Sequence, residues 1–555
     1  MAARSPAFPR QLVAFAAGWI FLNAFLNANA PAPNPPFHRL LAPSLEVWAV
    51  LLLLSLPALR RRAFSPRVYL PLMGFLLFCR LFRFGDVLMP VYFNRPFNLY
   101  VDTGYLPGLI HLLYHSFPGL ELAGYGLAAA LGGGLCIWVL HRALKTAHRG
   151  FSDPRIRRGF WLVTCALVFP VACHMGGGYP DRLGPPVTSI APRLVSELGF
   201  VLRVREVKHK GLSAVQMAEA AMPEFGAPLA RLDGRDVHLL LIESYGRTLY
   251  DNPRHAEAFL PVARRFQEVL ARDGFRVVST YLRSPTFGGA SWLAFSTLET
   301  GVWAPDQLRY HYLTHSRVRP LASYFAQAGY RTVSVMPGTT MPWPEGRYFS
   351  YDEMLAAADL GYRGPAFGWS PMPDQFVLEA VRQRELTRRK APLFIRYVLI
   401  SSHAPFHHQP PYIEDWDRIG DGSVYRRLEG VRYPNNWPDL TGAGEAYRRS
   451  VAYDLDVIAG FLSRSVHDGS LVIVMGDHQP NAQITGEGAS WDVPVHVVSR
   501  SRDLLETFLA MGYSEGIVPD GSGATAGMDE FMPAFLTAFS LSGESAETAS
   551  LGKGP

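Results

Sequence analysis

Val237-His238-Leu239-Leu240-Leu241-Ile242-Glu243-Ser244 is a short, almost wholly apolar run that stops at a carboxylate. Six residues are too few for an ordinary helix and suit a strand buried on both faces of a sheet. Working outward, the sequence predicts a helix over 259–271 and a strand over 275–281, then a helix over 321–328 leading to a strand over 332–335. A strand over 393–400, a helix over 447–462 and a strand over 471–475 follow. Strands alternating with helices predict an α/β fold with a mostly parallel central sheet covered by helices. In such sheets chemistry gathers at the carboxyl ends of the strands.

The polar residues fall at those ends. The 237–242 strand ends in Glu243, the 471–475 strand runs through Gly476 into Asp477-His478, and the 393–400 strand ends near His403. Two carboxylates and an imidazole form a donor set suited to one divalent metal ion, Mn²⁺ or Zn²⁺, with Mg²⁺ as a further option. A hydroxyl completes it. In Gly288-Gly289-Ala290-Ser291-Trp292-Leu293-Ala294-Phe295-Ser296-Thr297-Leu298-Glu299-Thr300-Gly301 a serine follows two glycines and opens a predicted helix, where the positive end of the helix dipole favours an anion. Gly-Gly-Ala-Ser is also an ordinary turn and cap. Its joint occurrence with Glu243, Asp477 and His478 points instead to Ser291 as a fourth ligand and a metal-activated nucleophile.

The first third of the chain differs in composition. The protein has 555 residues, 48% of them hydrophobic, and a mean hydropathy of +0.06. Five apolar runs, over 11–28, 45–59, 68–84, 122–140 and 159–174, are predicted membrane spans. None comparable follows Met175. Basic residues cluster at Arg4 and Arg10, at Arg60, Arg61, Arg62 and Arg67, and from Arg142 to Arg158, which places those ends in the cytoplasm. With five spans the remainder lies outside, in the periplasm or at the cell exterior. Residues 106–117, broken by Pro107 and Pro118, read as a re-entrant or amphipathic helix; a true span there would invert the topology. The predicted organisation is a multi-pass transmembrane domain over 1–178, a juxtamembrane linker over 179–230 and an extracytoplasmic catalytic domain over 231–545.

All four cysteines, Cys79, Cys136, Cys165 and Cys173, lie in or beside predicted spans, so the exported part has neither disulfides nor a thiolate metal site. The net charge of +6 is largely accounted for by the cytoplasmic loops and gives no reason to expect a nucleic-acid partner.

The pieces Leu239-Leu240-Leu241-Ile242-Glu243-Ser244, Gly288 to Gly301, Ser402-His403-Ala404-Pro405-Phe406 and Val474-Met475-Gly476-Asp477-His478 occur in an order that resembles membrane-anchored members of the alkaline phosphatase/sulfatase superfamily. The resemblance is to the branch with lipoteichoic acid synthases, lipid A phosphoethanolamine transferases and periplasmic glucan phosphoglycerol transferases, and extends through residues 447–456 and 528–536. It implies a bacterial cytoplasmic (inner) membrane location. It also implies a metal held by Glu243, Ser291, Asp477 and His478, with Ser291 standing where the family usually has threonine. Thr286, which also precedes the glycines, is a competing nucleophile with the wrong spacing to the helix. His403 would contact the phosphoryl group or protonate the leaving oxygen.

Trp343 and Arg347 resemble the tryptophan and arginine that contact a phosphoglycerol head, although the spacing Trp-Pro-Glu-Gly-Arg is looser than the family's. His311, His315, His407 and His408 are further candidates for a second metal or for plain loop positions. Three functions are expected to compete. The first is a transferase moving a phosphoglycerol or phosphoethanolamine head group from a membrane phospholipid through Ser291 to an envelope glycan or lipid acceptor. The second is a membrane-bound phosphatase or phosphodiesterase; a formylglycine sulfatase is disfavoured because Ser291-Trp292-Leu293-Ala294-Phe295 lacks the required proline and arginine. The third is a scaffold without catalysis.

Overall fold

The computed structural model describes residues 7–29, 37–57, 65–106, 110, 114, 119–175, 186–432, 442–467 and 469–541. The chain forms two compact units, one from Met1–Pro90 with Arg95–Val204, the other from Val91–Asn94 with Arg205–Pro555.

The first unit is helical. Its helices Ala7–Asn27, Leu45–Ser55, Pro66–Phe93, Gly119–Gly150 and Pro154–Met175 fall on the five predicted spans. Two, within Gly119–Gly150 and Pro154–His174, are long and apolar enough to cross a membrane. Leu45–Ser55 has 11 residues, a rise of about 17 Å; the predicted run continues to residue 59, and residues 58–64 lie outside the described residues. The polar interruptions of the first run have a structural use. Asn27 Nδ2 donates to the carbonyls of Leu40 and Ala42, and its Oδ1 accepts from Thr188 Oγ1. Glu46, just after the helix cap Ser44, accepts from Ser189 Oγ and the Ile190 amide. Of residues 106–117, only Leu106, Ile110 and Tyr114 are described, so the doubtful element there lies outside the described residues for the most part. Within 179–230, where a linker is expected, the chain forms the helix Ala191–Ala220, with Val195, Leu198, Val201 and Leu202 exposed.

The second unit is α/β. Its main sheet is built from β1 (Val237–Ile242), β2 (Arg276–Arg283), β3 (Arg331–Met336), β4 (Glu353–Ala356), β5 (Leu393–Leu399), β8 (Leu471–Gly476), β9 (Asp492–Ser499), β10 (Ser514–Glu515) and β11 (Ala526–Gly527); β6 (His408–Gln409) and β7 (Val431–Arg432) pair apart from it. The order is β10-β2-β9-β8-β1-β5-β3-β4, with β11 beside the end of β2. The strands β8, β1, β5, β3 and β4 run parallel, and the antiparallel pairs of this main sheet all involve β2 or β9.

All six residues of β1 are buried because helices cover both faces. Leu240 and Ile242 join a core with the helices Pro253–Arg272 and Ala443–Ser465, while Leu239 and Leu241 join a second core with Leu321–Gln327 and Met528–Phe539. This is the two-residue alternation of a strand inside a three-layer stack.

Of the main sheet, β4, β9, β10 and β11 are absent from the sequence prediction, and β9 is the longest of them. β9 contains Pro494, which removes a ladder donor and argues against a central strand. The structure accommodates it because the β8–β9 pairing runs from Val472↔Val498 only to Met475↔Val495, so Pro494 lies past the end of that ladder.

Candidate metal centre and nucleophile

The register of the parallel strands assembles the site. Ile242 is level with Leu399 on one side and Gly476 on the other, so Glu243, Ile400 and Asp477 each stand one residue beyond a paired position. Gly476 permits this convergence: a Cβ there would lie 1.8 Å from the Tyr245 carbonyl oxygen. The chain turns sharply after Glu243, with Ser244 at φ 59°. Gly288 (φ 70°) and Gly289 (φ 149°) lead to Ala290, also left-handed at φ 63°. A non-glycine residue in that region costs about 1–3 kcal/mol and persists where its surroundings hold it, typically at functional sites. Here two such residues directly adjoin Glu243 and Ser291.

Ser291 opens the helix Ser291–Thr300, whose capping position, Ala290, has no side-chain acceptor. Its Oγ donates to Glu243 Oε2 at 3.1 Å and lies 3.2 Å from His478 Nε2. His478 Nδ1 is 2.8 Å from the Gln479 carbonyl, which requires a proton on Nδ1 and directs Nε2 inward. There Nε2 lies 3.2 Å from Glu243 Oε1 and 3.5 Å from Asp477 Oδ2. Asp477 Oδ1 accepts from the amides of Ser244 (2.8 Å) and His478 (2.7 Å), whereas its buried Oδ2 has no hydrogen-bond partner.

One ligand atom from each of Glu243, Asp477 and His478 lies within 4.8 Å of the others. Three buried donors converging with an orphaned carboxylate oxygen fit a divalent cation. Their titration agrees. Burial and then the Glu243 charge push Asp477 up to about 7. Burial opposes the charged form of His478, but Asp477 and Glu243 outweigh it and raise the imidazole to about 9. Burial likewise works against a charged Glu243, yet His478 and then His403 hold that carboxyl well below the usual range. Without a cation, protons supply the positive charge.

The remaining predicted residues are placed differently. His403 is exposed on the loop after β5, its Nδ1 2.6 Å from the Ala404 carbonyl and its ring stacked near Trp369. Ser402 Oγ donates to the Glu243 carbonyl at 2.7 Å and so fastens that loop to the end of β1. Thr286 is buried and its hydroxyl has no partner; the hydroxyl hydrogen-bonded to Glu243 and His478 is that of Ser291. Trp343 Nε1 donates to Tyr310 Oη at 2.9 Å and its ring packs on Phe349. Arg347, four residues on, is exposed in the short helix Pro344–Phe349. His311 and His315 face each other with ring centroids 4.3 Å apart, and His408 Nδ1 accepts from the Gly368 amide. Among the described residues neither pair joins a third ligand.

Two buried acids went unnoticed in the sequence. Asp374 accepts from the Ile400 amide (2.9 Å) and the Ser401 amide (2.6 Å), holding the chain where it leaves β5 for His403. Asp454 is fully buried, its carboxyl set against that of Asp374 and the hydroxyl of Ser402. Burial and then the Asp374 charge raise its carboxyl well above the ordinary value. Burial lifts Asp374 to about 6 against its backbone hydrogen bonds. The available signal was Asp454 on the apolar face of its helix, among Val451, Leu455 and Ile458.

No protein-family model matches the chain, and no curated protein sequence matches it. Similarity is found among solved structures. A lipoteichoic acid synthase from Listeria monocytogenes is 14% identical, with 57% of this chain and 74% of that one covered at a TM-score of 0.38. A protein in the alkaline phosphatase superfamily from Vibrio parahaemolyticus is 15% identical, covering 52% and 68% at 0.33. A phosphoglycerol transferase from Streptococcus pyogenes, solved with sn-glycerol-1-phosphate, is 12% identical, covering 63% and 85% at 0.35.

Proposed function

We propose that this protein is a membrane-anchored, metal-dependent transferase that moves a phospholipid-derived head group, phosphoglycerol or phosphoethanolamine, through a covalent Ser291 intermediate to an envelope glycan or lipid acceptor. The observation that carries the reading is the position of Ser291 Oγ, within hydrogen-bond reach of both Glu243 and His478, whose ligand atoms converge with one from Asp477. The order of the surrounding motifs and the apolar N-terminal helices support it. A multi-pass anchor in the cytoplasmic membrane, with the α/β unit outside, follows from the distribution of arginines and lysines.

Glu243, Asp477, His478 and Ser291 would hold the cation, and a bound divalent ion would lower the pKa of the serine hydroxyl and offset phosphate charge. The protein supplies the rest. Glu243 Oε2, which accepts the Ser291 hydroxyl hydrogen bond, holds Oγ in place, and Ser291 Oγ, its proton released to solvent beforehand, attacks phosphorus. The bond from phosphorus to the diacylglycerol oxygen breaks, and His403 protonates that oxygen. An acceptor hydroxyl then gives its proton to His403 and attacks the same phosphorus, the bond from phosphorus to Ser291 Oγ breaks, and the serine is released for the next cycle. Arg347, exposed on the short helix after Trp343, would pair with the anionic group. Anchoring the site beside a bilayer raises the effective concentration of a lipid donor.

The test is to incubate the full chain with head-group-labelled phosphatidylglycerol or phosphatidylethanolamine, with and without added glycan acceptor. Acceptor-dependent label transfer with release of diacylglycerol is expected. Release of free phospho-head group at the same rate without acceptor would instead establish a hydrolase.

A further inference from the structure

The helical unit contains a cavity of about 300 Å³ that the proposed reaction does not use. One wall is a single face of the helix Ala7–Asn27, carrying Phe8, Leu12, Phe15 and Trp19. These recur at helical spacing over 11 residues, so the wall is about 16 Å long and apolar throughout. The facing wall comes from the helix Pro154–Met175, with Arg155 at its first turn and then Gly159 and Val163. Trp48 also lines the space, and its ring lies edge-on to that of Trp19.

Two details mark the cavity as more than loose packing. A Cβ added to Gly159 would meet nothing within 4 Å, so the glycine leaves room. The polar character sits at one end. Arg155 is exposed, no acidic residue lines the cavity, and the guanidinium lies over the Phe8 ring, 5.3 Å from its centroid. A narrow apolar trough with one cationic end complements an amphiphile with a single anionic end.

We infer that this cavity is a binding site for an anionic phospholipid, with one acyl chain lying along Phe8, Leu12, Phe15 and Trp19 and the phosphate on Arg155. It rests on the reading of these helices as membrane-embedded. Because the basic stretch from Arg142 to Arg158 reads as cytoplasmic, the lipid would belong to the cytoplasmic leaflet, and it is a bound component instead of the donor consumed at Ser291. An arginine on an aromatic face keeps its charge available for phosphate while its stem covers apolar surface.

Acyl-brominated lipids, which quench nearby tryptophans, test this. The full chain is reconstituted in phosphatidylcholine vesicles containing a minor fraction of brominated phosphatidylglycerol or of brominated phosphatidylcholine. The signal of Trp19 is taken as the difference between the parent protein and Trp19→Phe. Several-fold stronger quenching by the anionic lipid is expected. Arg155→Gln should abolish that preference, Gly159→Leu should protect Trp19 from both lipids, and Ser291→Ala should change nothing. Equal quenching by the two lipids, or a preference that survives Arg155→Gln or disappears with Ser291→Ala, would overturn the proposal. Quenching of the exposed Trp138 and Trp161 by brominated phosphatidylcholine reports membrane embedding separately, so loss of the lipid site and loss of the membrane reading are told apart.

Discussion

Ser402 Oγ donates a 2.7 Å hydrogen bond to the main-chain carbonyl of Glu243. This bond joins the residue carrying the metal-facing carboxylate to the loop carrying the exposed His403, so the acid-base group and the nucleophile's partner are positioned together. Replacing Ser402 by alanine leaves a buried carbonyl without its donor. The expected cost is about 1–2 kcal/mol of stability, together with a loss of turnover on the order of tenfold to a hundredfold from misplacement of His403 and Glu243. Urea unfolding and steady-state transfer rates check both.

Gly476→Ala is expected to damage the site through the backbone alone. Its methyl group would meet the Tyr245 carbonyl at 1.8 Å, and either the turn after Glu243 or the end of β8 must shift. Overpacking of this kind costs about 1–3 kcal/mol. Thermal unfolding should show it, and the purified variant should retain less Mn²⁺ or Zn²⁺ by elemental analysis.

Metal binding should release protons. In the metal-free site His478 is raised to about 9 and Asp477 to about 7, so near pH 7.5 the imidazole must give up a proton to become a ligand, and a fraction of Asp477 does the same. Calorimetric titration with Mn²⁺ in buffers of different ionisation enthalpy should show release of about one proton, diminishing as pH rises through about 9. A heat of binding that does not depend on the buffer contradicts this assignment.

The Asp374–Asp454 pair should make stability depend on pH. Asp374 is raised from 3.8 to about 6 and Asp454 well above its ordinary value, so the folded state binds protons more tightly than the unfolded one. Their favourable contribution is complete below the ordinary carboxyl pKa and is lost as pH rises through about 6 and above. Asp454→Asn removes one of these protonation requirements. Its Tm should therefore equal the parent's at acidic pH and exceed it at pH 8, by about 2–4 °C for each kcal/mol gained.

The features that could be read from sequence were those whose physics is local. The strands β1, β5 and β8 are short apolar runs without breakers, and Glu243 and Asp477-His478 announce themselves because polarity begins where each run stops. β9 was illegible because Pro494 forbids a ladder bond that only the staggered end of β8 makes unnecessary. The histidines 311, 315, 407 and 408 read either as second-metal candidates or as plain loop positions; what decides between these is that, among the described residues, no carboxylates converge on them, a property of the fold. Asp374 escaped notice for the same reason: the amides it holds belong to residues 400 and 401. In the helical unit, hydropathy located the helices well. The helix described in the second run is Leu45–Ser55, and residues 58 and 59 of that run lie outside the described residues.

The central claim is that Ser291 becomes covalently modified. The most direct measurement is mass spectrometry of the active-site peptide after rapid acid quench of the full chain with phosphatidylglycerol or phosphatidylethanolamine and Mn²⁺, using His403→Ala to slow turnover of the intermediate. A phosphoglycerol or phosphoethanolamine adduct on Ser291, absent without lipid and absent in Ser291→Ala, is the predicted result. Lipid consumption with an unmodified Ser291, or an adduct on Thr286, would contradict it.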